Sequence, residues 1–99
     1  MKMINNTITP DKLKKYFSIT KEALDKAKVA LDEKRLEQAK DFLDMAQRYY
    51  DDANYFLDKK KDAVLAFAAL NYAHGWLDAG ARIGLFKVKD SRLFTVDGE

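Results

Sequence analysis

The clearest pattern in the chain is LEQAKDFLDMAQRYYDDANYFLD, residues 36–58. Apolar side chains recur there at steps of three and four residues, which is the spacing of one face of an α-helix. This stripe consists of Leu36, Ala39, Leu43, Ala46, Tyr50, Ala53 and Leu57. Aromatic side chains at Phe42, Tyr49 and Phe56 recur every seven residues beside the stripe and widen it. The segment is therefore predicted to form a long amphipathic helix.

A second stripe precedes it and runs through Leu13, Phe17, Thr20, Leu24, Ala27 and Leu31. This helix should begin at about residue 10, because Thr9 is a suitable N-cap and Pro10 fits the first helical position. The step of five residues from Leu31 to Leu36 puts the two stripes out of phase, so a turn is expected at residues 32–35. The alternative is one long helix from residue 10 to about residue 58.

A third helix is predicted after the lysines at 59–61, with Asp62 as its N-cap. Its apolar residues form two stripes rather than one. The first stripe holds Ala63, Ala66, Leu70, Ala73, Leu77, Gly80 and Gly84, and the second holds Leu65, Ala69, Tyr72, Trp76, Ala79 and Ile83. A helix that is apolar on two sides is expected to be covered on two sides. Helix three is therefore predicted to pack against both other helices.

The predicted fold is all-α, an antiparallel bundle of three helices at about residues 10–31, 36–58 and 63–84. No glycine or proline lies between Pro10 and Gly75, so the turn residues typical of β-structure are missing there. We expect one domain over residues 1–99, with an N-terminal arm at residues 1–8 and an extended C-terminal tail at residues 85–99. The tail is predicted either to lie on the bundle or to form a strand-like arm for a partner.

Composition narrows the class of protein. Eighteen basic and sixteen acidic residues leave a net charge of only +2, which is too small to steer the chain towards nucleic acid unless the charges are segregated. The chain has no cysteine, so disulfides and thiolate metal sites are excluded and a cytoplasmic location is expected. No stretch approaches the ~20 apolar residues of a membrane span. We expect no metal, no cofactor and no membrane association.

Residues 72–86 read YAHGWLDAGARIGLF, and they follow DFL at residues 41–43 and YYDDA at residues 49–53. Together these motifs resemble a family of short archaeal proteins catalogued as domain of unknown function 357, over roughly residues 36–88. The resemblance implies a helical archaeal protein and carries no activity or site residues. One departure is Lys60, which stands where the family leads us to expect a glycine in the turn.

Four polar residues of helix three, Asn71, His74, Asp78 and Arg82, are spaced three, four and four, and they fall within about 80° of arc. We call them the polar stripe. Asp78 can accept a hydrogen bond from His74 and pair with Arg82. An aspartate that orients a histidine is also typical of a general base. We favour a structural or interface network over catalysis, and one histidine with one aspartate leaves a zinc site short of ligands.

The leading functional hypothesis is a small non-catalytic protein–protein interaction module that self-associates or binds an unknown protein. Its contact surfaces would be the polar stripe and three aromatic anchors, Trp76, Phe86 and Phe94. A second hypothesis is a nucleic-acid-associated protein. Its basic residues would be Lys14, Lys21, Lys28, the lysines at 59–61, Lys87, Lys89 and Arg92. A third is an enzyme or ligand-binding protein centred on His74 and Asp78.

Overall fold

The computed structural model describes residues 4–95, and that part of the chain contains three α-helices. They are α1, Pro10–Lys28, α2, Leu36–Asp58, and α3, Ala63–Arg82. A single 3-10 turn, Glu33–Arg35, leads into α2. The helices pack together, so the predicted all-α three-helix bundle is confirmed, and one continuous helix to residue 58 is wrong. Residues 1–3 of the predicted arm and 96–99 of the predicted tail lie outside the described residues.

Both predicted N-caps are confirmed. The hydroxyl oxygen of Thr9 accepts a hydrogen bond from the backbone N–H of Lys12 at 3.1 Å. A carboxylate oxygen of Asp62 accepts from the backbone N–H of Leu65 at 3.0 Å. The turn between α2 and α3 contains one left-handed residue, Lys61, with a φ of 54°. This is the residue after Lys60, so the turn takes its left-handed conformation without a glycine.

α1 ends at Lys28, three residues earlier than predicted. The residues that follow leave the helix because the C-terminal tail supplies other partners for their backbone groups. The carbonyl oxygen of Ala30 accepts from the N–H of Lys87 at 2.7 Å, and the N–H of Asp32 donates to the carbonyl of Leu85 at 2.8 Å. The turn therefore forms through pairing with a segment some fifty residues away, and no local glycine or proline is needed.

α3 ends at Arg82, two residues before the predicted end at Gly84. Gly84 takes a φ of 78°, a left-handed conformation that glycine adopts without strain. The N–H of Leu85 donates to the carbonyl of Gly80 at 2.8 Å, and the N–H of Gly84 donates to the carbonyl of Ala81 at 3.2 Å. These two hydrogen bonds form a Schellman motif, which reverses the chain and directs the tail back onto the bundle.

The described part of the tail lies on the bundle and contributes to its core. Four of its side chains are at most 2% exposed, namely Leu85, Phe86, Leu93 and Phe94. They join a core made mostly of alanines and leucines from the three helices. Up to residue 95 the tail lies on the bundle, which is the first of the two predicted conformations. The alternative, a strand-like arm, is wrong for this part of the tail.

Candidate functional site

His74 of the polar stripe lies between α1 and the tail. Its Nε2 is 2.6 Å from the carbonyl oxygen of Leu93, and its Nδ1 is 3.0 Å from the hydroxyl oxygen of Thr20. Because a carbonyl oxygen can only accept, Nε2 carries the proton in the neutral ring and Nδ1 accepts from Thr20. Both ring nitrogens of His74 are therefore engaged by other parts of the fold.

Asp78 contacts the tail rather than His74. Its two carboxylate oxygens accept hydrogen bonds from the backbone N–H of Thr95 at 2.8 Å and from the Thr95 hydroxyl at 3.2 Å. The distance from His74 Nε2 to Asp78 Oδ1 is 3.8 Å, too long for the hydrogen bond that the spacing suggested. We call Thr20, His74, Asp78 and their tail partners Leu93 and Thr95 the tail clamp.

The other two residues of the polar stripe lie at its margins. Asn71 is exposed and lines an open groove of about 340 Å³, with Thr20, His74 and Asp78. Arg82 is exposed and lies near Asp78 and Thr95. The structure therefore brings His74 and Asp78 together as a fastening for the tail. A proton transfer by His74 to a ligand in this groove would break a contact that holds the tail.

Two ion pairs also join the tail to α1. The ammonium group of Lys26 lies 2.9 Å from Asp90, and the guanidinium group of Arg92 pairs with Glu22 on α1. The hydrogen bond from Lys26 lowers the pKa of Asp90, and the hydrogen bond from Arg92 lowers the pKa of Glu22. Arg92, a residue of the proposed nucleic-acid surface, is therefore paired within the chain.

The three predicted aromatic anchors have different positions. Phe86 and Phe94 are 1% and 2% exposed, and the ring of Phe86 lies directly on Gly80. This fold leaves neither phenylalanine on the surface as an anchor for a partner. Trp76 is half-buried and makes an edge-on contact with Phe42 of α2, with ring centroids 5.0 Å apart. Only Trp76 of these three is available to a partner.

Trp76 belongs to an apolar surface of α2 and α3 that α1 does not cover. This surface, here called the outer face, consists of the second α3 stripe, Leu65, Ala69, Tyr72, Trp76, Ala79 and Ile83, with Phe42, Met45, Tyr49 and Phe56 of α2. Leu65, Tyr72 and Ile83 are 46%, 55% and 52% exposed. Helix three packs against both other helices, as predicted, but this packing leaves much of the second stripe exposed.

The position of α1 explains why the outer face is bare. α1 contacts α3 through Tyr16 on Phe67 and through Thr20 on His74. At 100° per residue, Phe67 and His74 lie on the opposite side of α3 from the second stripe. The tail also uses that side, through His74 and Asp78. Both available covering segments therefore pack on the same side of the α2–α3 hairpin.

Residues 4–95 contain neither a cluster of metal-ligating side chains nor a membrane-spanning helix. No group of three histidine, aspartate or glutamate side chains there could hold a metal ion. None of the helices in this range is long and apolar enough to cross a membrane.

Comparison with known proteins identifies a family. No curated protein and no solved structure matches the chain. A family model with the description Protein of unknown function (DUF357) matches residues 15–86. The match runs from the second turn of α1 through α2 and α3 to Phe86, so it includes His74, Asp78 and the outer face. Because this match covers well over half of the chain, the protein belongs to the DUF357 family.

Proposed function

We propose that the protein is a small, non-catalytic protein–protein interaction module and that the outer face is its contact surface. The observation that carries the proposal is the exposure of Leu65, Tyr72 and Ile83 along one side of α3. Monomeric proteins rarely expose contiguous apolar patches of more than a few hundred Å², and larger patches mark interaction sites. The proposal moves the predicted contact surface from the polar stripe to the opposite side of the same helix.

The residue types on the outer face support this assignment. Tyrosine, tryptophan, phenylalanine and methionine are enriched at protein interfaces, whereas lysine and glutamate are depleted. None of the ten residues of the outer face is charged, although 34% of the whole chain is. The edge-on aromatic pairs Phe42–Trp76 and Tyr49–Tyr72 hold four of these side chains in place before any partner binds. A preformed surface loses little side-chain entropy on binding.

The other two hypotheses have weaker support. A catalytic role for His74 conflicts with the engagement of both its ring nitrogens by Thr20 and Leu93. A nucleic-acid surface would need unpaired cations, yet Lys21 lies 2.7 Å from Asp25 and Arg92 pairs with Glu22. A cytoplasmic location in an archaeal cell is part of our proposal and rests on the lack of cysteine and on the family resemblance.

The proposal is tested by placing one charge on the outer face and the same charge beside it. Leu65→Glu puts a carboxylate on the outer face. Val64→Glu is the matched control, because Val64 is 70% exposed, lies in the same helical turn and points about 100° away from Leu65. Both variants add a negative charge near the N-terminus of α3, so the helix dipole affects them equally.

Tagged wild type and both variants are used for affinity capture from cells that carry the untagged chain. We expect wild type and V64E to retain the same bound protein, and L65E to lose it, because a buried carboxylate without a partner is costly. Capture that is equal for all three chains, or no capture by any of them, would count against the outer face as a contact surface. Circular dichroism checks that L65E keeps its helical content.

A further inference from the structure

We infer that the partner of the outer face is a second copy of this chain, packed antiparallel about a two-fold axis level with residue 74 of α3. This inference rests on the proposed function, because it names the partner of the same surface. It is carried by a symmetry of the outer face that a foreign partner would not require.

The exposed stripe of α3 has the same pattern in both directions. Its residues are Leu65, Ala69, Tyr72, Trp76, Ala79 and Ile83, at steps of four, three, four, three and four. The order of side-chain types is large aliphatic, alanine, aromatic, aromatic, alanine, large aliphatic. An antiparallel copy centred on residue 74 places Leu65 opposite Ile83, Ala69 opposite Ala79 and Tyr72 opposite Trp76. Every large side chain at the ends then meets another, and alanine meets alanine.

The middle of the adjacent row of α2 is approximately symmetric about the same level. It consists of Gln38, Phe42, Met45, Tyr49 and Asp52, at steps of four, three, four and three. The row is centred on Met45, with an aromatic residue on each side and a polar residue at each end. Two-fold symmetry requires that an isologous surface be complementary to itself. The exposed stripe of α3 meets this condition along its whole length, and α2 meets it from Gln38 to Asp52, with Phe56 beyond the symmetric part.

The centre of the α3 stripe and the centre of the α2 row lie at the same level of the hairpin, which a single two-fold axis requires. Two ring contacts cross between the helices, Phe42 with Trp76 at 5.0 Å and Tyr49 with Tyr72 at 4.4 Å. The midpoint of these two contacts lies at residue 74 on α3 and between Met45 and Ala46 on α2. A rotation about that level exchanges the two aromatic pairs between copies. The coincidence is a property of the folded hairpin and of neither helix alone.

The outer face has shallow depressions and open space for a second helix. One shallow depression lies between Trp76 and Ala79, and another lies between Leu65 and Ala69, with the Tyr72 side chain lining both. The first depression spans the level of residue 74, where the proposed axis passes. Gly75, which lines the first, has open space where a Cβ would be, so a second helix can approach closely there.

The polar residues at the two ends of the α2 row, Gln38 and Asp52, are complementary in the same antiparallel register. Gln38 and Asp52 are exposed and lie seven residues on either side of Met45. The rotation places the amide of Gln38 opposite the carboxylate of Asp52 in the other copy, and an amide N–H₂ can donate to a carboxylate.

The available area is sufficient for a weak to moderate dimer. The stripe from residue 65 to residue 83 is about 27 Å long, and two helices side by side are about 20 Å wide, which gives a footprint of roughly 500 Å². The accessible surface of a corrugated face exceeds its footprint. Specific dimers at the lower end of the range bury about 600 Å² per partner.

Engineered cysteines test both the partner and the direction of packing. The native chain has no cysteine, so every disulfide formed must join the introduced residues. We expect a mixture of L65C and I83C chains to form a covalent heterodimer under mild oxidation. Either variant alone should form little, because its two thiols would lie about 27 Å apart. M45C alone should crosslink efficiently, because Met45 lies beside the axis. V64C, off the outer face, is the control.

Sedimentation velocity adds a quantitative measure without cysteines. We expect wild type and V64E to dimerise with the same Kd and L65E to dimerise at least about 30-fold more weakly, the effect of a typical hot spot. Crosslinking of L65C with itself in preference to I83C would overturn the antiparallel register. A wild-type monomer up to millimolar concentration would overturn the inference. Retention of a different protein by the outer face in the capture experiment would then leave the proposed function standing.

Discussion

Two sides of α3 differ in coverage: the polar side is covered, and the side that carries the second apolar stripe is exposed. The side that carries His74 and Asp78 is covered by α1 and by the tail, whereas the side that carries Leu65, Tyr72 and Ile83 is bare. The polar side is covered because His74 and Asp78 find hydrogen-bond partners in α1 and in the tail. On this helix His74 and Asp78 mark an intramolecular contact, and the second apolar stripe marks the free surface, whereas the first apolar stripe is buried.

Removal of the Phe86 ring should have the largest effect on stability and would sharpen this contrast most. Phe86→Ala deletes a side chain that is 1% exposed, and we expect a loss of about 3–5 kcal/mol in the free energy of unfolding. Tyr72→Ala on the outer face should cost about 1 kcal/mol or less in dilute solution, where its contact with Tyr49 is the main loss. Urea denaturation of both variants measures the difference. Equal losses would remove the distinction between the two sides.

Two glycines of α3 should respond to alanine with opposite signs. A Cβ on Gly80 would overlap a carbon of the Phe86 ring, so Gly80→Ala should destabilise the fold by about 1–3 kcal/mol. A Cβ on Gly75 would meet nothing within 4 Å, so Gly75→Ala should stabilise the helix by about 0.5–1 kcal/mol. Thermal and urea unfolding report both values. A stabilising Gly80→Ala would show that the tail does not pack on α3 as described.

Loss of the Asp78 carboxylate should have a smaller effect, which is confined to the tail clamp. Asp78→Ala leaves the N–H and hydroxyl of Thr95 without their acceptor, and we expect a cost of about 1 kcal/mol. Hydrogen exchange should accelerate at Thr95, whereas helicity should stay unchanged. Asp78→Asn, which keeps one acceptor oxygen, should lose less. An unchanged melt for both variants would indicate that the carboxylate serves a ligand instead of the tail.

Acid should weaken the tail attachment, with the smallest effect of this series. The pKa values of Glu22 and Asp90 are lowered in the folded protein by Arg92 and Lys26 respectively. Each carboxylate therefore stabilises the fold at pH values above its unfolded pKa, and this stabilisation is lost as the pH falls through the folded pKa, roughly from pH 5 downwards. Thermal midpoints should decline over that range, and the decline should be shallower in Asp90→Asn. Identical pH profiles would show that the Lys26 pair contributes nothing measurable.

Much of the secondary structure could be predicted from local sequence alone. α2 is predicted at residues 36–58 and observed at Leu36–Asp58, because the phase of its apolar stripe is a local signal. The caps at Thr9 and Asp62 are local in the same sense. The ends of α1 and α3 were placed too late, because the tail pairs with the turn after α1 and Gly84 reverses the chain.

The site could be predicted only in part, because residue spacing identifies a face of a helix and not what covers it. The sequence alone grouped His74 with Asp78 and separated the two apolar stripes of helix three. Only the tertiary structure decided that Thr20, Leu93 and Thr95 would form the hydrogen bonds of His74 and Asp78. It also decided that the second stripe would stay exposed. The physical reason is that α1 and the tail can each pack on only one side of the α2–α3 hairpin. The buried phenylalanines and the hydrogen bonds of the tail clamp place both segments on the same side.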